Sequence, residues 1–195
     1  MTYRVGVAAS GRGSNFIALC EALAGSDAAR VVQLISDRDA MVIASAKARG
    51  VAVHQLEDST SAAEWLGVLT RASCDLLVLA GYLRLVPAGV VAAMRGRIIN
   101  VHPALLPRYG GHGMHGQRVH VAVLAAGDTE SGATVHLVDE VYDRGEILAQ
   151  GRVAVPEGAT ADELALAVLA VEHRLLPAAV LAAAAAGHPV PFEFA

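Results

Sequence analysis

What most constrains the fold of this chain is a series of short apolar runs at 4–9, 31–35, 51–53, 75–80 and 98–101, each followed by a segment of different periodicity. The runs are largely continuous rather than alternating. A strand apolar on both faces is buried on both faces, as in the middle of a parallel sheet with helices on either side. Helical spacing is read between the runs over 16–24, 41–49 and 61–73, the last capped by Ser59 or Thr60. Two later runs, 135–138 and 147–150, lie close enough to form a hairpin and so an antiparallel edge. The expectation is an α/β fold, a doubly wound, mostly parallel open sheet of about seven strands with an antiparallel edge.

With 195 residues the chain suits one domain over 1–195, large enough to bury roughly 70% of its unfolded surface. Its 54% hydrophobic and 17% charged content excludes disorder, and a net charge of −4 gives no basic face for nucleic acid. Cys20 and Cys74 lack metal-like or CxxC spacing and are read as free thiols. No secretory signal pattern opens the sequence, and the most apolar stretch, 175–186, is interrupted by Pro177 and reads as too short for a bilayer. A cytoplasmic protein without a membrane partner is expected.

Polar residues at strand ends carry the chemistry. Asn100 and His102 leave the 98–101 run two residues apart, hence on one face, and Pro103 stops the strand there. In an open α/β sheet that carboxyl edge is where ligands bind. Asp143 ends an acidic turn, 139–145, after the 135–138 run. Set beside the first loop, it would face an imidazole and an amide across a cleft, an arrangement suited to acyl-group chemistry.

At the start of the chain, Ser10-Gly11-Arg12-Gly13-Ser14-Asn15 joins a strand to a helix, a turn whose free N–H groups form an anion site. A dinucleotide fingerprint would place glycine at position 16, where Phe16 stands, although Asp37 follows the second strand as a ribose-binding acid would. The loop after the fourth strand, Leu83 to Val86, either lines a flat pocket or fills core with its leucines. Glycines among 110–116 point to a mobile loop over the site. His112, His115 and His120 have no partner acids at metal-ligand spacing, so no metal is expected, and His120 is placed on a solvated helix face. His54 and Trp65 are read as packing or surface residues. Thr160 to Glu163 has the form of a capping box and starts a helix ending near 176.

The pattern Asn100-x-His102-Pro103-x-Leu105-Leu106-Pro107, the later Asp143 and the 10–15 loop resemble the folate-dependent formyltransferase family, and within it the phosphoribosylglycinamide formyltransferases of purine synthesis. The resemblance covers about 3–177. It implies a Rossmann-like formyltransferase fold that moves a formyl group from 10-formyltetrahydrofolate, as co-substrate, to the amine of glycinamide ribonucleotide. Asn100, His102 and Asp143 would be catalytic. Gly13, Ser14 and Asn15 would hold the ribonucleotide phosphate, and Glu172 the acceptor amine. Leu83, Arg84, Leu85, Val86, Asn100, Asp139, Glu140, Val141, Tyr142 and Asp143 would form the folate site.

Near Ala62, where some members carry an arginine for the folate tail, this chain has none. The Asn/His/Asp pattern alone fits every formyltransferase of this kind, so an amino-sugar or methionyl-tRNA acceptor stays an alternative, as does a nucleotide-binding domain without catalysis. The tRNA enzymes carry a further carboxyl-terminal domain, for which no room is expected here. A homodimer is left open.

Overall fold

In the computed structural model, residues 2–194 are described, and they adopt the expected doubly wound α/β fold. The strands are β1 (Tyr3–Ala8), β2 (Ala29–Ser36), β3 (Ala52–Gln55), β4 (Leu76–Leu79), β5 (Ile98–His102), β6 (Glu130–Leu137) and β7 (Ile147–Ala154). The helices are α1 (Ser14–Ala22), α2 (Met41–Ala48), α3 (Ala62–Arg71), α4 (Ala88–Ala93), α5 (Gln117–Ala125) and α6 (Ala161–Ala186). Strand order is β3-β2-β1-β4-β5-β6-β7. Pairing is parallel from β3 to β5 and antiparallel for β6 and β7.

The continuous apolar runs have the predicted cause. Val5 and Val7 of β1, with Leu76 and Val78 of β4, pack under α1, α2, α5 and α6. Ala8, Leu77, Leu79 and Ile98 point the other way, against Trp65, Val68 and Leu69 of α3 and Val90 and Val91 of α4. Trp65 is therefore core, fully buried, with its indole N–H donated to the Ser59 carbonyl at 3.2 Å. Ser61, rather than Ser59 or Thr60, caps α3 by accepting the Glu64 N–H. His54 lies half-buried against Glu64, 2.8 Å away.

Three departures from the sequence reading have physical reasons. The helix expected to end near 176 continues through Pro177 to Ala186. Proline in a helix interior costs about 3 kcal/mol, and burial of Leu175, Leu176, Pro177, Ala179, Val180 and Ala183 offsets it. The resulting α6, 26 residues long, meets the length and composition of a membrane-crossing helix, contrary to the reading of 175–186; half of its most apolar window is buried inside the fold. β6 begins at Glu130, earlier than expected, because Glu130 to Ala133 pair with 151–154 of β7. The Thr160–Glu163 capping box is present as read.

β1 and β4 are neighbours whose following strands run outward in opposite directions, so the loops after them flank the point where strand order reverses. These loops are joined: Ser10 N–H donates to Gly81 O at 3.1 Å, and Leu83 N–H to Ser10 Oγ at 3.2 Å.

Candidate active site

A cavity of about 980 Å³ opens at the carboxyl ends of these strands. Asn100 and His102 reach it from β5, on the Ile98 side of the strand, and Asp143 from the β6–β7 turn. His102 is 4% exposed. Its Nε2 lies 2.8 Å from the Tyr109 carbonyl, and its Nδ1 lies 3.7 Å from Asp143 Oδ2. A carbonyl only accepts, so the neutral ring carries its hydrogen on Nε2 and leaves Nδ1 as an acceptor facing the carboxylate.

A neighbouring carboxylate by itself would raise the His102 pKa and hold the ring protonated. The structure reverses this: burial pushes the imidazole below its ordinary value, and the Asp143 charge and the Tyr109 hydrogen bond recover only part of the loss. Burial also pushes the Asp143 carboxyl up, but contacts from His136, the Gly111 N–H and His102 outweigh it, and the group sits below the usual carboxylate value. Gly111 N–H donates to Asp143 Oδ2 at 2.8 Å. That approach needs Gly110, where a Cβ would stand 2.6 Å from Leu106 Cδ2.

His136 belongs to this site and was absent from the sequence reading. Antiparallel register sets it opposite Asn100, as Thr134 is set opposite His102. Its Nδ1 donates to the Leu137 carbonyl at 2.8 Å, so its Nε2 accepts an Asn100 amide N–H at 3.0 Å. One Asn100 N–H is thereby fixed, and the amide has a second for the cleft. The available signal was polar residues at i and i+2 in an otherwise apolar strand.

The cavity is also lined by Ser14 and Asn15, in the first turn of α1. Ile17 N–H is the one bonded back to Gly13 O, which leaves the earlier N–H groups of the turn without intrahelical partners. Gly13 sits behind them as the N-cap at φ 77°, against α2, where a Cβ would meet Val42 Cγ2 at 2.3 Å. Asn15 Nδ2 donates to Glu172 Oε2 at 2.7 Å, tying α1 to α6. Burial pushes the Glu172 carboxyl up to about 7, against the opposing pull of Asn15.

Leu83, Arg84, Leu85 and Val86 line the same cavity, as do Asp139, Glu140, Val141, Tyr142 and Asp143. Leu83 and Leu85 are 48% and 56% exposed, so these leucines face the pocket rather than fill core. The Arg84 guanidinium is held by Asp37 at 2.9 Å and Ser59 at 3.2 Å. Asp37 is thus enclosed by Arg38 and Arg84, and it is no ribose ligand in this arrangement. Asp139 Oδ1 accepts the Val141 N–H at 2.8 Å and shapes the turn. The 110–116 loop lines the rim through Gly111 to Gly116, with His112 tilted against Tyr142 at 5.7 Å. His120 is not solvated but 4% exposed, because its face of α5 turns toward the cavity and α6.

An amide, an imidazole and a carboxylate in one cavity with a helix start suited to anions and a pair of exposed leucines define an α/β fold arranged for group transfer. The comparisons narrow that class. The formyl transferase family matches residues 3–180. A phosphoribosylglycinamide formyltransferase of Mycobacterium tuberculosis is 39% identical over 94% of this chain and 86% of its own length. The chloroplastic enzyme of that name from Arabidopsis thaliana is 41% identical over 88% of this chain and 62% of its own length. The chain spans about three fifths of the plant relatives it matches. The crystal structure of phosphoribosylglycinamide formyltransferase from Anaplasma phagocytophilum superposes with a TM-score of 0.87 at 32% identity, covering 95% of this chain and 88% of that one. The chain belongs to the formyl transferase family.

Proposed function

We propose that this chain transfers a formyl group from 10-formyltetrahydrofolate to the amine of glycinamide ribonucleotide. The observation that carries the reading is that Asn100, His102 and Asp143 line one cavity together with the Ser14–Asn15 turn and the exposed leucines of 83–85. A phosphate suits the helix start, and a flat heterocycle with a polar edge suits the exposed leucines and main-chain groups of 83–86.

Attack by the amine on the formyl carbon turns the carbonyl oxygen into an oxyanion, which needs donors where the charge develops. The free Asn100 N–H is one. His102 Nδ1 is the other once it carries a proton, and Asp143 Oδ2 beside it favours that charged form. The amine forms the new C–N bond and loses a proton; the folate nitrogen leaves and gains one. Asp143 relays it. Glu172 receives the acceptor amine, which attacks as the neutral base; where it arrives as the ammonium ion, an ionised Glu172, with its pKa near 7, takes the extra proton first.

Small-molecule substrates, a cytoplasmic location, and no nucleic-acid or membrane partner belong to the same reading, supported by the net charge of −4. The test is transfer of labelled formyl from 10-formyltetrahydrofolate to glycinamide ribonucleotide, an amino-sugar nucleotide and methionyl-tRNA in parallel. Label on the ribonucleotide alone is expected, and label on either of the others in its place would overturn the acceptor assignment.

A further inference from the structure

Behind the catalytic wall, two consecutive side chains reach one carboxylate. The Arg108 guanidinium donates to Asp128 Oδ1 at 2.8 Å and to the Tyr109 hydroxyl at 3.0 Å, and it stands over the Tyr109 ring, 5.1 Å from its centroid. The Tyr109 hydroxyl donates to Asp128 Oδ2 at 2.6 Å. Asp128 follows α5, and its side chain is 16% exposed. The hydroxyl and the guanidinium hold its carboxyl below the usual value.

Tyr109 has φ 58°. A bulky residue adopts this left-handed conformation only where its surroundings hold it. Here both of its ends are held: the hydroxyl by Asp128, and the main-chain carbonyl by His102 Nε2 at 2.8 Å. Among the described residues, Arg108, Tyr109 and Asp128 do not line the main cavity; they line a separate one of about 310 Å³. Substrate contact therefore does not account for the arrangement.

We infer that Asp128 is a positioning residue for His102, acting through Tyr109. The carbonyl that fixes the hydrogen on His102 Nε2 is set by the strained backbone of residue 109, and the carboxylate behind the ring keeps that backbone from relaxing. Without the anchor the carbonyl swings away, Nε2 loses its acceptor, and the ring samples both tautomers and other orientations. Around the imidazole, Asp143, His136 and His120 are the other titratable groups that act on it, from the β6–β7 turn, β6 and α5 respectively. None of them replaces the Tyr109 carbonyl at Nε2. The inference rests on the proposed role of His102 in formyl transfer.

The test compares Tyr109→Phe, Asp128→Ala, Asp128→Asn and the Tyr109→Phe/Asp128→Ala pair by steady-state kinetics, with nitrogen NMR of His102 in the free proteins. Tyr109→Phe and Asp128→Ala should each lower kcat about tenfold, since small displacements of a catalytic group are costly, with KM for both substrates within about twofold of wild type. The pair should lose no more than the worse single change, because both cut one chain of contacts. Asp128→Asn, which keeps an acceptor oxygen, should retain more activity than Asp128→Ala.

The NMR signature should change from one tautomer with hydrogen on Nε2 to a mixture in Tyr109→Phe, which removes a single oxygen and keeps the ring packing. Losses that add in the double variant, a change confined to KM, or a folded Tyr109→Phe with wild-type kcat and an unchanged His102 signature would each overturn the inference. If wild type transferred no formyl group at all, the proposed function would fail while the tautomer measurement still decided the latch.

Discussion

His102 Nδ1 stands 3.7 Å from Asp143 Oδ2, and in the neutral ring both atoms are hydrogen-bond acceptors. At that separation the two become an ion pair when the ring takes a proton, and a small approach then makes a hydrogen bond. An amine that releases a proton on attack supplies it at the moment the oxyanion needs a charged donor, and this timing favours the transition state over the ground state. The burial that keeps the free imidazole neutral is therefore compatible with catalysis.

Replacing Asp143 by Asn should lower kcat by about 100-fold or more, the usual scale for a proton-transferring group, with the fold retained. Its folded pKa is depressed, so it adds stability above the unfolded value of 3.8 that is lost as pH falls through the lower native value. Thermal melts across that acid range should show a shallower pH dependence in the variant. Wild-type turnover in a folded Asp143→Asn protein would remove the residue from the mechanism.

His136→Phe fills a similar volume but cannot accept the Asn100 N–H, so the amide loses its fixed orientation. A fall in kcat of roughly tenfold is expected, with small changes in KM, as for the misplacement of a group by its support. Steady-state assays with both substrates check this, and an unchanged kcat would mean that Asn100 is held by other contacts.

Much of this was legible in the residues. Continuous apolar runs revealed the sheet, and Pro103 after Asn100 and His102 located the strand end that opens on the cavity, because strand periodicity and proline act locally. His136 was hidden because a single polar residue in the Val135–Leu137 run becomes meaningful only through its register with Asn100. Pro177 was misread because tertiary burial overrides its local cost, and His120 because helical periodicity does not say which polar residue faces a cavity. Tyr109 and Asp128 meet across 19 residues through a backbone conformation with no sequence signature.

Glu172 gives a pH dependence of the opposite sign. The unfolded chain releases this proton near 4.5 and the folded one near 7, so the folded state binds more protons across that window and loses stability as pH rises through it. Glu172→Gln keeps an acceptor for Asn15 and removes the titration. Its Tm should exceed that of wild type by a few degrees at pH 8 and match it near pH 4, while KM for the acceptor rises. Parallel Tm curves for the two proteins would contradict the buried, proton-holding carboxyl.

Ser14→Asp puts a negative charge in the first turn of α1, where the acceptor phosphate is proposed to bind. It should raise KM for glycinamide ribonucleotide by like-charge repulsion and leave that for 10-formyltetrahydrofolate nearly unchanged. A dephosphorylated acceptor should be poor with wild type and no worse with the variant. Loss of both affinities together would reduce the loop to a tight turn.

The most direct test of the account is the single-turnover rate of formyl transfer in Asn100→Ala, measured with both substrates saturating. Asn100 is proposed to donate to the oxyanion, and losing one such donor slows the chemical step on the order of 100-fold. The account predicts that loss in the single-turnover rate, with substrate affinities little changed and the Tm near wild type. Transfer at the wild-type rate by the folded variant would contradict it.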